Sequence, residues 1–171
     1  MIETKAVITS QTVSWSGIHF YVLRRDATAI HLTFHDARHQ QALQELQPAC
    51  AVAIVPPATL ATDALLALLR DNHSFAEYNE SPFIIQATPF QRQVWQALCT
   101  IGFGTTATYG EIAAMLGNKN LARAVGQACG ANPIAILIPC HRVVAGSGIG
   151  GFAGGPEIKK RLLALEKEAH R

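Results

Sequence analysis

Short apolar runs alternate with polar clusters early in the chain. Residues 19–23 (His-Phe-Tyr-Val-Leu) and 29–34 (Ala-Ile-His-Leu-Thr-Phe) have β-prone composition, and Arg24-Arg25-Asp26 between them supplies a turn, which predicts a hairpin. Residues 37–46 and 61–70 have helix-prone spacing and are separated by Pro56-Pro57, which no helix crosses. Residues 79–84, with Pro82, read as a linker. The pattern then changes to period 3.6. Thr88-Pro89-Phe90-Gln91 offers an N-cap, a proline at N1 and a glutamine at N3, and Phe90, Val94 and Leu98 follow at four-residue intervals. After a connection containing Gly102 and Gly104, Thr108-Tyr109-Gly110-Glu111 forms a second capping box, with Ile112, Met115 and Leu116 as the expected buried stripe. Residues 117–120 then form a turn, and a helix follows over 121–129.

The predicted fold is α/β. An α+β supporting domain with a small antiparallel sheet spans residues 1–84, and a mainly helical domain with a helix-turn-helix spans 85–171. The second helix of that unit is thin: Ala122, Ala124, Gly126 and Ala128 surround one long cation, Arg123. A major-groove reader would carry Asn, Gln and Arg along its exposed face. A helix about 10–12 Å across enters a minor groove about 6 Å wide only by widening it, and small side chains lower that cost. The composition therefore favours the minor groove, with one inserted cation.

Of 171 residues, 49% are hydrophobic and 15% charged, a globular composition. The longest nearly apolar stretch, residues 51–69, is broken by Pro56, Pro57 and Asp63, so no membrane span is expected. The first residues lack a basic and apolar leader pattern, which points to the cytoplasm. The net charge of +2 conceals an asymmetry: residues 1–106 carry six Lys/Arg against eight Asp/Glu, and residues 107–171 carry eight against four. A basic second half suggests a polyanionic partner. Cys50, Cys99, Cys129 and Cys140 include no CxxC pair, so neither a zinc site nor a disulfide framework is expected. His31, His35 and His39 fall at i, i+4 and i+8, but two of them lie in a strand-like run, and they read as surface histidines.

Residues 134–139, Ile-Ala-Ile-Leu-Ile-Pro, read as a buried strand leading to Cys140-His141-Arg142-Val143-Val144. Thiolate is the reactive form of cysteine and needs a base or cation nearby, which His141 can supply. Adjacent side chains point apart, so a bridging water suits the pair better than direct contact. On spacing alone, a buried inert cysteine is an equal reading. Pro156 opens a last helix with Ile158, Leu162 and Leu165 as its core stripe. Glu166, Lys159, Lys160 and Arg161 read from the pattern as its solvated side.

Pro139-Cys140-His141-Arg142-Val143-Val144, preceded by Ala122-Arg123-Ala124-Val125-Gly126 and Asn132-Pro133 and followed by Gly150-Gly151-Phe152-Ala153-Gly154-Gly155 and Leu162-Leu163-Ala164-Leu165-Glu166, closely resembles the O6-alkylguanine-DNA alkyltransferases. The resemblance runs from about residue 88 to 166; the first part is similar only in length and strand-then-helix order. It implies that Cys140 accepts the alkyl group from O6 of guanine and keeps it as a thioether. His141, a water and Glu166 would form the proton relay, and Tyr109 would donate to N3 of the leaving guanine. Asn132 would tie the DNA-binding helices to the reactive segment. Arg123 would fill the space left by a flipped nucleotide, with Ala122, Ala124, Gly126, Thr108 and Gly110 beside the DNA. The pocket would be formed by Val143, Phe152, Ala153, Cys129 and Pro133, with backbone groups at Cys140 and Val143 reading the exocyclic amine and the Ala153 amide reaching O6. The implied partner is double-stranded DNA carrying O6-alkylguanine, bound in the minor groove by a monomer, with no cofactor, metal or membrane. Phe152 stands where relatives often have Tyr, Ala153 where some have Ser, and the loop over residues 145–151 is one residue shorter. These departures bear on alkyl size and on O4-alkylthymine. Two other readings stand beside this one: a non-reactive protein that binds alkylated lesions, and a Cys-His hydrolase.

Overall fold

The computed structural model describes residues 6–71 and 73–171. Its sheet starts with a strand that the hydrophobic pattern does not announce, β1 (Ala6–Trp15), followed by β2 (Ile18–Arg25) and β3 (Thr28–Thr33) in an antiparallel meander. Ser16 and Gly17, with φ of 49° and 79°, make the tight β1–β2 turn, since two positive-φ residues match the right-handed twist of the flanking strands. The predicted hairpin is present, its turn shifted to the Asp26-Ala27 pair.

α1 (Asp36–Leu46) lies on one face of the sheet. β4 (Cys50–Ile54) and β5 (Ala58–Thr59), interrupted by Pro56-Pro57, both pair parallel to β1, so the sheet is mixed, not purely antiparallel. The alternation of β1 inverts midway. Ile8 and Ser10 turn towards α1, where Ser10 Oγ meets His39 Nε2 at 2.9 Å, whereas Val13 and Trp15 enter the main core on the other face. α2 (Thr62–Arg70) buries Leu65 and Leu69 in that core.

The segment read as a linker is packed structure. A 3-10 turn (Phe75–Tyr78) and the short α3 (Pro82–Ile85) bury Tyr78 and Ile84, and Ser81 Oγ donates to the Ile30 carbonyl at 2.7 Å. α4 (Pro89–Leu98) begins with the predicted Thr88/Gln91 capping box. β6 (Ala107–Thr108) leads into α5 (Tyr109–Met115), capped by Thr108 and Glu111. Ile112 and Ala113 are its buried residues, and Met115, expected in the stripe, is exposed because the helix ends one turn after them. A turn with Gly117 at φ +90° and a 3-10 segment (Lys119–Leu121) connect to α6 (Ala122–Gly130), completing the two-helix outline. Trp95 Nε1 donates to the Ala128 carbonyl at 2.8 Å and pins α4 to α6.

Residues 134–139 form no strand. Ile136 has φ +72°, costly for a β-branched residue, and Leu137 N–H donates to Ala135 O at 2.9 Å across a tight turn. Leu32 and Ile134 form a parallel bridge, so the edge of β3 holds the start of this loop. β7 (Val143–Val144) pairs parallel to β6, and α7 (Pro156–His170) closes the chain. No described helix is long and apolar enough to cross a membrane.

His31 and His39 are buried, not on the surface, with ring centroids 6.4 Å apart. Burial, reinforced by His39 and Arg38, pushes the His31 imidazole down to about 4. A group with its folded pKa below the unfolded value costs nothing above pH 6.5 and destabilises as pH falls towards 4, because only the unfolded chain takes up the proton. His31 therefore removes about 3 kcal/mol between pH 7 and pH 4. Urea unfolding of His31→Leu is expected to show a pH dependence shallower by that amount.

Candidate active site

Cys140 opens a 3-10 turn (Cys140–Arg142) directly after Pro139, whose φ of −82° and ψ of 61° make an inverse γ-turn closed by Cys140 N–H on Ile138 O at 2.8 Å. Its Sγ is buried and accepts from Asn132 Nδ2 at 3.1 Å. Asn132 also donates to the Ile138 carbonyl at 2.8 Å, and its Oδ1 accepts from Ile134 N–H at 3.0 Å. One amide at the end of α6 thus spans the tight loop and holds the sulfur. Burial pushes the Cys140 thiol up, against the pull of the Asn132 bond and the Lys159 charge, so the resting group is the neutral thiol.

His141 is fully buried, and its Nε2 lies 2.6 Å from Glu166 Oε1. Burial pushes the Glu166 carboxyl up, but bonds from His141, the Gly104 N–H and Arg142 outweigh it and hold the group below the usual carboxylate range. Arg142 Nε reaches both carboxylate oxygens at 3.2 and 3.0 Å, and Gly104 N–H donates to Oε2 at 2.9 Å. Burial also pushes His141 down, more than Glu166 raises it, so the ring is neutral. A neutral ring that donates from Nε2 to a carboxylate keeps its lone pair on Nδ1. That atom is buried without a partner among the described residues. The site can accept a proton at Nδ1 and pass charge stabilisation through to Glu166.

The other expected residues surround this centre. Tyr109, half-buried, donates its hydroxyl to Gly151 O at 3.3 Å, and burial pushes its pKa up. A Cβ on Gly150, which has φ +74°, would stand 2.9 Å from that hydroxyl, so glycine there makes room for the tyrosine. Arg123 is exposed near the start of α6, with Ala122, Ala124 and Gly126 half-buried around it. Thr108 spends its hydroxyl on the α5 cap with Glu111, and Gly110 lies half-buried in the first turn of α5. Val143, Cys129 and Pro133 are buried, and the Pro133 carbonyl accepts from Leu32 N–H at 2.9 Å. Phe152 packs edge-on between Phe34 at 5.5 Å and His141 at 6.4 Å, and the Ala153 carbonyl accepts from His35 Nε2.

Two cations escaped the sequence reading. Lys159, grouped with the solvated side of α7, is fully buried and donates to the carbonyls of Val143 and Gly151. Its spacing of seven from Glu166 sets both on one helical face, a signal the apolar stripe concealed. Glu166 likewise lies on the buried face and not in solvent. Arg142 was read only as part of a motif; beyond Glu166 it donates to Ile101 O at 2.7 Å and Leu69 O at 2.6 Å. Nothing local in the sequence names partners so distant. Among the described residues no group of three or more His, Cys, Asp or Glu is placed to hold a metal.

Fold and site together define a mixed α/β protein in which a buried thiol, an Asn and a His–Glu pair stand behind a two-helix unit. A family model described as the DNA-binding domain of 6-O-methylguanine DNA methyltransferase matches residues 89–168. A methylated-DNA–protein-cysteine methyltransferase of Mycolicibacterium paratuberculosis is 54% identical over 84 residues, 48% of this chain and 51% of the relative. Regulatory protein ada of Salmonella typhimurium is 41% identical over 140 residues, 81% of this chain and 35% of the relative. The chain spans about half the length of the curated cysteine methyltransferases it matches. Among solved structures, Mycobacterium tuberculosis OGT in complex with DNA has TM-score 0.64 and 32% identity, over 94% of this chain and 93% of that one. The O6-methylguanine-DNA methyltransferase of Pyrococcus kodakaraensis has TM-score 0.62 and 26% identity, over 93% and 98%. The chain belongs to the O6-methylguanine-DNA methyltransferase family.

Removing Arg142 leaves Glu166 short of a buried partner. Arg142→Leu is expected to cost about 3–5 kcal/mol in urea unfolding, and Arg142→Lys, which keeps the charge without the fork, to recover only part of it.

Proposed function

We propose that this protein repairs alkylated DNA by direct reversal, moving the alkyl group from O6 of guanine to Cys140 in a single turnover. The observation that carries the reading is the His141 ring, neutral, bonded to Glu166 through Nε2 and with Nδ1 buried and unpartnered. A bridging water passes the Cys140 thiol proton to Nδ1, and the imidazolium is stabilised by Glu166. The thiolate attacks the alkyl carbon, an S–C bond forms as the C–O6 bond breaks, and the electron pair leaves on the purine. Tyr109 gives its phenolic proton to N3, so the product leaves as neutral guanine and the protein keeps a thioether. No cofactor takes part.

An alkyl group on O6 lies inside the duplex, so the base must be extruded, and a poorly paired base costs least to flip. α6 approaches the minor groove with its small residues, and exposed Arg123 occupies the gap in the stack. The protein works as a monomer on cytoplasmic DNA. Phe152 and Ala153 offer no hydroxyl to the pocket, which leaves stacking and backbone donors to hold the base, O6-alkylguanine or O4-alkylthymine.

The test mixes the protein with equimolar duplex carrying O6-methylguanine and maps tryptic peptides by mass spectrometry. The peptide spanning residues 124–142 holds both Cys129 and Cys140, so fragmentation must separate them. One methyl on Cys140 with guanine restored is expected; an unmodified peptide from reduced, folded protein that still binds the duplex overturns transfer in favour of lesion binding. Cys140→Ala is expected to bind the duplex and transfer nothing. Arg123→Ala should slow repair of the duplex by about tenfold or more while leaving reaction with a free O6-alkylguanine base unchanged, because only the duplex requires extrusion.

A further inference from the structure

The corner between β3 and α1 reaches into the active-site loop from more than a hundred residues away. Phe34 packs in T-shaped geometry against Phe20 of the core at 6.0 Å and against Phe152 at 5.5 Å. Phe152 in turn stands edge-on to His141 at 6.4 Å. Gly154 lies so close that a Cβ there would come within 2.9 Å of Phe152 Cε1 and 3.0 Å of Phe34. His35 occupies the N-cap of α1 without capping it: its side chain makes no bond to the helix, and its Nε2 donates instead to the Ala153 carbonyl. Ser, Thr, Asp or Asn at that position would cap and stabilise α1, so histidine gives up a local gain for a distant contact. The loop it grips carries φ of +74° at Gly150 and +88° at Gly155, so its own backbone is free to take several paths.

We propose that His35 is a positioning residue for alkyl transfer, holding the Ala153 peptide so that the loop presents a fixed backbone to the seated base. The inference rests on the alkyl-transfer reading above. His35 holds the carbonyl on one side of the Ala153 Cα and Phe34 holds the Phe152 ring on the other, so the loop backbone is gripped from both sides of Ala153. His35 touches neither substrate nor sulfur. Its effect is on the rate of the step after binding, since misplacing a group by about 1 Å costs up to about a hundredfold.

The experiment measures single-turnover methyl transfer from an O6-methylguanine duplex, separating the maximal rate from the duplex Kd, in the whole protein. His35→Ala is expected to lower the maximal rate by between about tenfold and a hundredfold with unchanged Kd and unchanged thermal midpoint. His35→Gln, whose terminal N–H₂ reaches where Nε2–H did, is expected to restore most of the rate. Transfer by His35→Ala at the wild-type rate overturns the positioning role, as does a loss that appears in Kd or tracks the thermal midpoint. A His35→Gln protein as slow as His35→Ala overturns the donor argument. If the wild-type protein itself transfers no methyl, the alkyl-transfer reading fails and takes this one with it.

Discussion

Glu166 accepts from His141, from Arg142 and from the Gly104 N–H, three donors that come from two separate stretches of chain. An ionised carboxylate taken this far from water costs several kcal/mol unless its lone pairs are filled by donors in good geometry. That requirement makes the docking of α7 all-or-none: the helix buries Glu166 only when the Cys140–Arg142 turn and the Gly104 loop are both in place. Arg142 extends the arrangement to the carbonyls of Ile101 and Leu69, so the end of α2 joins it. The Cys140–Arg142 turn is therefore fixed by electrostatic necessity more than by its own backbone preference. A three-residue 3-10 turn has little intrinsic stability.

Elements whose signals are local were legible in the sequence. The capping boxes at Thr88 and Thr108, the period of α4, the thin α6 and the motif around Cys140 depend on residues three or four apart. β1 was missed because its two halves bury opposite faces, Ile8 against α1 and Val13 and Trp15 in the main core, which destroys strict alternation. Residues 134–139 looked like a strand because every side chain is apolar, yet within that segment only Ile134 bridges to β3, at Leu32, and the chain turns at once. Of the site, Cys140, His141, Asn132 and Glu166 were named through the family resemblance, and the structure brings these four together. Lys159 was lost because a buried lysine contradicts its type, and composition holds no record of the carbonyls that receive it.

The two groups that would exchange a proton are both held neutral at rest, the thiol by burial and the imidazole by burial against the pull of Glu166. Thiolate is the form attacked by oxidants, so a neutral, buried Cys140 is protected from them. Asn132 and Lys159 shift the balance the other way, and both favour the ionised sulfur. The cation is tied to the Val143 and Gly151 carbonyls, one on each side of the loop, so its charge is held in a fixed place.

Among the described residues the first part of the chain adds no side chain to the Cys140, Asn132, His141 and Glu166 cluster, yet it meets the second part at points that converge on the same turn. The β3 edge bonds the backbone of Pro133 and Ala135 on either side of Ile134, directly after Asn132. The Leu69 carbonyl of α2 caps Arg142. The Phe20–Phe34–Phe152 contacts lead from the sheet to His141. Each tie acts on a different neighbour of Cys140: the segment before it, the arginine two residues after it, and the aromatic that covers its histidine. A loop with a β-branched residue at φ +72° beside a turn of three residues would not hold one geometry by itself. The sheet therefore supplies rigidity that the Cys140 turn's own sequence lacks, and it holds the geometry of the thiol, Asn and His–Glu cluster without lending that cluster a side chain.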